Sequence, residues 1–152
     1  MKKKKLIQEQ LDSKLTKLGD LEHIIVPPNG WIYSIRQGLN MSLRQLGERL
    51  SVTPQSVKEI EQREKSGTIS LKVLNHVASA LNMSFVYGFI PKDKSLANMV
   101  EKRTAELAKQ IVERTSVQMN LEDQKHSEAR IKKAINEKSE ELANELPRYL
   151  WD

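Results

Sequence analysis

Cysteine is absent from this 152-residue chain. That removes any disulfide framework and any thiolate-based zinc site, and it fits a reducing compartment such as the cytoplasm. Glycine is scarce: six residues, widely spread, assemble no glycine-rich phosphate loop. No apolar run approaches the roughly 20 residues that a membrane span needs. Met1 is followed by Lys2-Lys3-Lys4-Lys5, but only Leu6-Ile7 precedes Gln8-Glu9-Gln10. A secretory leader needs an unbroken apolar stretch there, so none is expected. His23, His76 and His126 show no metal-ligand spacing. Glu140-Glu141 and Glu145 fit a solvated helical face better than a catalytic carboxylate pair, which needs a pocket. The expectation is a protein with no catalytic site, no cofactor and no metal.

The charge that is present is unevenly placed. Residues 1–94 carry 15 basic and 9 acidic groups, a net of +6, whereas residues 95–152 carry 10 and 11, a net of −1. The first part can approach a polyanion; the second has no such bias. The Lys2-to-Lys5 run fits a solvated chain end or an arm laid along DNA.

Three stretches follow from composition. Residues 1–30 hold one helix over about 4–18, from Leu6, Leu11, Leu15 and Leu18 at helical spacing, ended before Pro27-Pro28-Asn29-Gly30. Residues 31–94 form a compact block. Residues 95–152 contain no glycine and only Pro147, are rich in Glu, Lys, Ala and Leu, and predict two long amphipathic helices over about 95–119 and 127–146.

Within the block, a helix over 31–38 turns Trp31, Ile32, Ile35 and Leu39 inward. Ser42 caps a second helix, with Leu43, Leu46 and Leu50 on its apolar face. Thr53 caps a third, with Pro54 at its first position, Val57 and Ile60 inside, and an end near Arg63. Ser70 caps a fourth over 71–81, burying Leu71, Leu74, Val77, Ala78 and Leu81. The β-branched and aromatic run Ser84-Phe85-Val86-Tyr87-Gly88-Phe89-Ile90 predicts a short strand that lacks a partner, a role a second copy could fill.

Only Ser51, Val52 and Thr53 separate the second and third helices, the connection of a helix-turn-helix. Gly47 leaves room for close approach of the third helix, and Val52 is expected to plug the turn into the core. Such an arrangement pushes the first turn of the third helix outward, toward a major groove.

The stretch from Ser42 to Glu61 resembles the helix-turn-helix of phage repressor and Cro-like regulators, with Gly47 where that family usually has Ala and Ser51 where it usually has Gly. The resemblance implies a mainly α, lambda-repressor-like helix-turn-helix bundle, here with one short β-strand and a C-terminal helical extension. By position it makes Gln55, Ser56 and Glu59 base readers flanked by Lys58 and Gln62, and Ser42, Arg44 and Thr53 candidate phosphate contacts. It also implies a structural ion pair between Arg36 and Glu61. The chemistry agrees: Gln bonds adenine through two atoms, and Arg and Lys supply the phosphate term that dominates affinity.

Further motifs, Pro28-Asn29-Gly30-Trp31-Ile32, Gly67-Thr68-Ile69-Ser70-Leu71, Val86-Tyr87-Gly88-Phe89-Ile90-Pro91, Met119-Asn120-Leu121-Glu122-Asp123-Gln124 and Leu150-Trp151-Asp152, resemble the bacterial family called mobile mystery protein A. Its members sit beside a Fic-family protein, whose enzymes typically transfer AMP from ATP to a hydroxyl. That pairing implies an antitoxin or regulator working with a Fic partner, and because one module of this size buries little DNA surface, a homodimeric repressor that binds double-stranded DNA is expected. The alternative is a protein-binding module that works through its C-terminal helices, with the helix-turn-helix as scaffold. No Ser or Thr is followed at the fourth position by Glu, so the common Fic-inhibitory motif is missing.

Overall fold

The computed structural model describes residues 2–119 and 127–152. His126 and most of the Met119-to-Gln124 motif lie outside the described residues. Seven α-helices are described: α1 (Lys2–Leu18), α2 (Trp31–Gly38), α3 (Leu43–Leu50), α4 (Pro54–Ser66), α5 (Leu71–Ala80), α6 (Leu96–Met119) and α7 (Ser127–Glu145). Short 3-10 turns cover Gly19–Leu21 and Arg148–Trp151. The chain divides into two compact units, His23–Tyr87 and the combination of Met1–Glu22 with Gly88–Asp152.

The first of these units is a four-helix cluster, α2 to α5, of the lambda-repressor kind. Its core is Ile32, Leu46, Leu50, Val57, Val77 and Leu81, with Ile35, Met41, Ile60 and Leu74 among the side chains packed around it. Each helix contributes the residues that its 3.6-residue period puts on one stripe. Trp31, Leu39 and Leu71, expected inside, are 43%, 54% and 47% exposed. Leu39 is the C-cap residue just past α2, while Trp31 and Leu71 are the first helical residues of α2 and α5, so all three sit at the rim of the apolar stripe.

The expected strand over 84–90 is not formed, and no strand occurs among the described residues. A strand composition expresses fit to a pleated, half-buried surface, and it needs a ladder partner. Here Val86 is 74% exposed and Phe89 81%. Phe85 and Tyr87 stack on each other instead, with ring centroids 5.9 Å apart.

The second unit is built on the long antiparallel-capable pair α6 and α7. Their seam buries Val100, Thr104, Ala108 and Leu142, and Leu150 of the terminal 3-10 turn is fully buried. Arg103 fixes that turn: its Nε donates to the Leu150 carbonyl and its Nη2 to the Asp152 carbonyl at 2.9 Å. Helix α1 joins through Asp12, whose two carboxylate oxygens accept the first backbone N–H groups of α6, Leu96 at 2.7 Å and Ala97 at 3.1 Å. A carboxylate is the right group there, because a helix N-terminus carries unpaired donors and partial positive charge. No helix among the described residues is long and apolar enough to cross a membrane.

Candidate nucleic-acid interface

Helices α3 and α4 are each opened by a hydroxyl. Ser42 Oγ accepts the Gln45 N–H at 3.1 Å while Gln45 Oε1 accepts the Ser42 N–H at 2.8 Å, a reciprocal capping box. Thr53 Oγ1 accepts the Ser56 N–H at 3.1 Å, with Pro54 next in the chain. The Ser-x-x-Gln spacing that marks the capping box was readable in the sequence, yet Gln45 was not among the residues singled out there.

The turn between the helices is tight. Ser51 takes the left-handed conformation, φ 57° and ψ 41°, and the Val52 N–H reaches back to the Gly47 carbonyl at 2.9 Å. A Cβ on Gly47 would sit 2.7 Å from the Val52 carbonyl oxygen. What Gly47 makes room for is therefore the backbone of the turn. Val52 is 38% exposed, not the buried plug expected of it. The 2.9 Å bond that holds its N–H fixes the turn through backbone, so the side chain is free to point outward.

Two inward carboxylates of α4 bind it to α2. The first is Glu61, in a buried ion pair with Arg36: Nε to Oε1 at 2.6 Å and Nη2 to Oε2 at 3.2 Å. The remaining Arg36 nitrogen, Nη1, donates to the Met41 carbonyl at 3.0 Å, and the Tyr33 ring lies 5.4 Å away. One guanidinium thus ties α2, α4 and the α2–α3 connection, using the fork geometry that Lys lacks. The second is Glu64, whose two oxygens accept the Trp31 and Ile32 N–H groups at 2.8 Å each. The N-cap of α2 is Gly30, which has no side chain to do this. Its φ of 86° favours glycine, and a Cβ there would lie 2.8 Å from Glu64 Oε1, so the capping carboxylate would have to shift. Sequence reasoning missed Glu64; its one trace was a helix start preceded by a residue unable to cap.

With Glu61 and Glu64 turned inward, the outer side of α4 presents Gln55, Lys58, Glu59 and Gln62, all exposed and at helical spacing along one face. Arg63 and Lys65 are exposed as well. Of the three acidic residues in α4 only Glu59 remains on that side. Ser56 is half-buried, and its hydroxyl lies 2.9 Å from that of Thr53. One of these two hydroxyls must donate to the other, which leaves one O–H free for an outside acceptor. Ser42 likewise accepts through its oxygen and keeps its hydrogen. Arg44 is engaged with Glu48 at 2.6 Å, but both side chains are 65% exposed, and such pairs open at little cost.

Neither α3 nor α4 has an acidic residue in its first turn. Their first-turn N–H groups are met by the neutral hydroxyls of Ser42 and Thr53, which suits these helix ends to approach phosphate. The chemistry available is hydrogen bonding from amide, hydroxyl and ammonium groups to base edges and phosphates.

Residues 32–87 match the helix-turn-helix family, a span that takes in α3 to α5 and all of α2 but Trp31. Neither curated proteins nor solved structures give a match to the chain.

Proposed function

We propose that this helix-turn-helix DNA-binding regulator of transcription is a sequence-specific repressor, that it binds duplex DNA as a homodimer, and that it serves as antitoxin or regulator of a Fic-family, AMP-transferring partner. The observation that carries the first part is the outer face of α4, where Gln55, Lys58, Glu59 and Gln62 project unpaired by their own fold while Glu61 and Glu64 brace the opposite side. In this reading Gln55, Ser56 and Glu59 read bases, Lys58 and Gln62 flank them, and Ser42, Arg44 and Thr53 hold phosphates. A single module of this size covers little DNA, and two-fold symmetry lets a pair read a palindrome, which supports the dimer. The Fic partner rests on the resemblance of the short motifs alone.

Gln55→Ala is expected to weaken operator binding by about 1–3 kcal/mol, with binding to scrambled duplex unchanged. Fluorescence anisotropy on both duplexes measures it. Equal loss on the two would remove Gln55 from base reading, and no DNA binding at all would favour the protein-binding module. For the partner, AMP transfer by the Fic protein is assayed with and without this chain; an unchanged rate and no co-purification would end that part.

A further inference from the structure

The second unit contains a cleft of about 740 Å³ between α1, α6 and α7, within the roughly 300–1,000 Å³ range of small-molecule sites. Its walls combine Lys2, Lys4 and Lys5 from α1 with Asn136 and Asn144 from α7. The floor is polar too: Thr104 is 1% exposed, donates to the Glu101 carbonyl at 3.0 Å and accepts from Ser139 Oγ at 3.2 Å.

The lysines are placed there by the fold. Asp12 fastens α1 to the start of α6, and Gln8, Lys5 and Lys4 lie four, seven and eight residues before it, on the same helical face. Four consecutive lysines in the first turn repel one another and the positive end of their own helix. Among the described residues none of Lys2, Lys4 and Lys5 forms an ion pair, although Glu101 and Glu140 line the same cleft. An anion would relieve this arrangement; a neutral ligand would not.

We propose that this cleft binds a small organic polyphosphate of nucleotide size. Its phosphates lie on Lys2, Lys4 and Lys5, and its polar body lies against Asn136 and Asn144. The carboxylates of Glu101 and Glu140, exposed along the same cleft, repel phosphate groups from their side of it and accept hydroxyl or amino donors of the body. Binding would fasten the lysine end of α1 to α6 and α7.

Isothermal titration of the full chain with ATP, pyrophosphate and adenosine tests this. ATP is expected to bind one to one, pyrophosphate at least about tenfold more weakly, and adenosine not measurably. Lys4→Gln combined with Lys5→Gln should weaken ATP by about tenfold or more, and Ala143→Leu, which fills the cleft without touching a lysine, should do the same. Melting curves establish that each variant is folded, and should Ala143→Leu be unfolded, Asn136→Ala combined with Asn144→Ala takes its place, expected to weaken ATP by about tenfold while leaving pyrophosphate unchanged, with unchanged ATP affinity overturning the proposal. No ATP binding by the native chain overturns the proposal. So does pyrophosphate binding as tightly as ATP, or indifference to Ala143→Leu in a folded variant, since either leaves only surface ammonium groups.

Discussion

Glu64 offers the sharpest test of how the second helix of the helix-turn-helix is held. Its carboxylate supplies the cap of α2 from 32 or 33 residues away, through two 2.8 Å bonds to backbone N–H groups. A hydrogen bond to a charged group is worth about 1.5–3 kcal/mol, but part of this returns as water reaches the half-exposed helix end. Losing an ordinary side-chain N-cap costs about 0.5–2 kcal/mol, and losing a negative charge at a helix N-terminus about 0.3–1 kcal/mol more. Glu64→Ala should therefore destabilise the His23–Tyr87 unit by about 2–3 kcal/mol, and Glu64→Gln by about half as much, because the amide keeps one acceptor and turns a donor toward a donor. Trp31 sits at the affected N–H, so its fluorescence in a Trp151→Phe background follows this unit during urea unfolding. Gly30→Ala should also destabilise, and less than additively when combined with Glu64→Ala, because one part of its cost is a 2.8 Å clash with that carboxylate. A loss below about 0.5 kcal/mol for Glu64→Ala would refute the reasoning, since it would place the two bonds among contacts that water replaces freely.

Three other outcomes follow from the same geometry. Glu61→Ala, which strands the Arg36 guanidinium in the interior, should cost about 3–5 kcal/mol, while the double replacement Arg36→Met with Glu61→Leu should recover most of it; urea midpoints of the three variants decide this. Ser51→Gly should stabilise the same unit by about 0.5–1 kcal/mol, because a left-handed residue with a Cβ is costly and glycine gives back part of the gain as unfolded-state entropy; an unchanged or lowered melting temperature would contradict it. Leu150→Ala should cost about 2–5 kcal/mol in the second unit, read by loss of helical circular dichroism at lower urea, as its side chain is fully buried.

What could be read from the sequence was local. Ser42, Thr53 and Ser70 cap where their spacing to an apolar run says they should, and Leu46, Leu50, Val57 and Val77 are buried where the helical period puts them. The misreadings share one cause, which is that burial depends on partners far along the chain. Val86 and Phe89 have the side chains of a strand and no neighbour to pair with. Leu39 and Trp31 fall on the edge of a helix only eight residues long, so their apolar character is not matched by a surface to bury it. The same limit hid the two carboxylates that span the most sequence. Glu64 acts across more than thirty residues and Asp12 across more than eighty, each on backbone N–H groups that carry no side-chain signature. Both solve one problem, the unpaired positive end of a helix whose own N-cap supplies no carboxylate. The ends of α3 and α4, like that of α5 behind Ser70, are met by neutral hydroxyls alone, whereas α6 has both the Ser95 hydroxyl and the Asp12 carboxylate. The helix-turn-helix thus presents two helix N-termini with no carboxylate among the described residues set against them, and in the proposed reading a phosphate backbone supplies that negative charge.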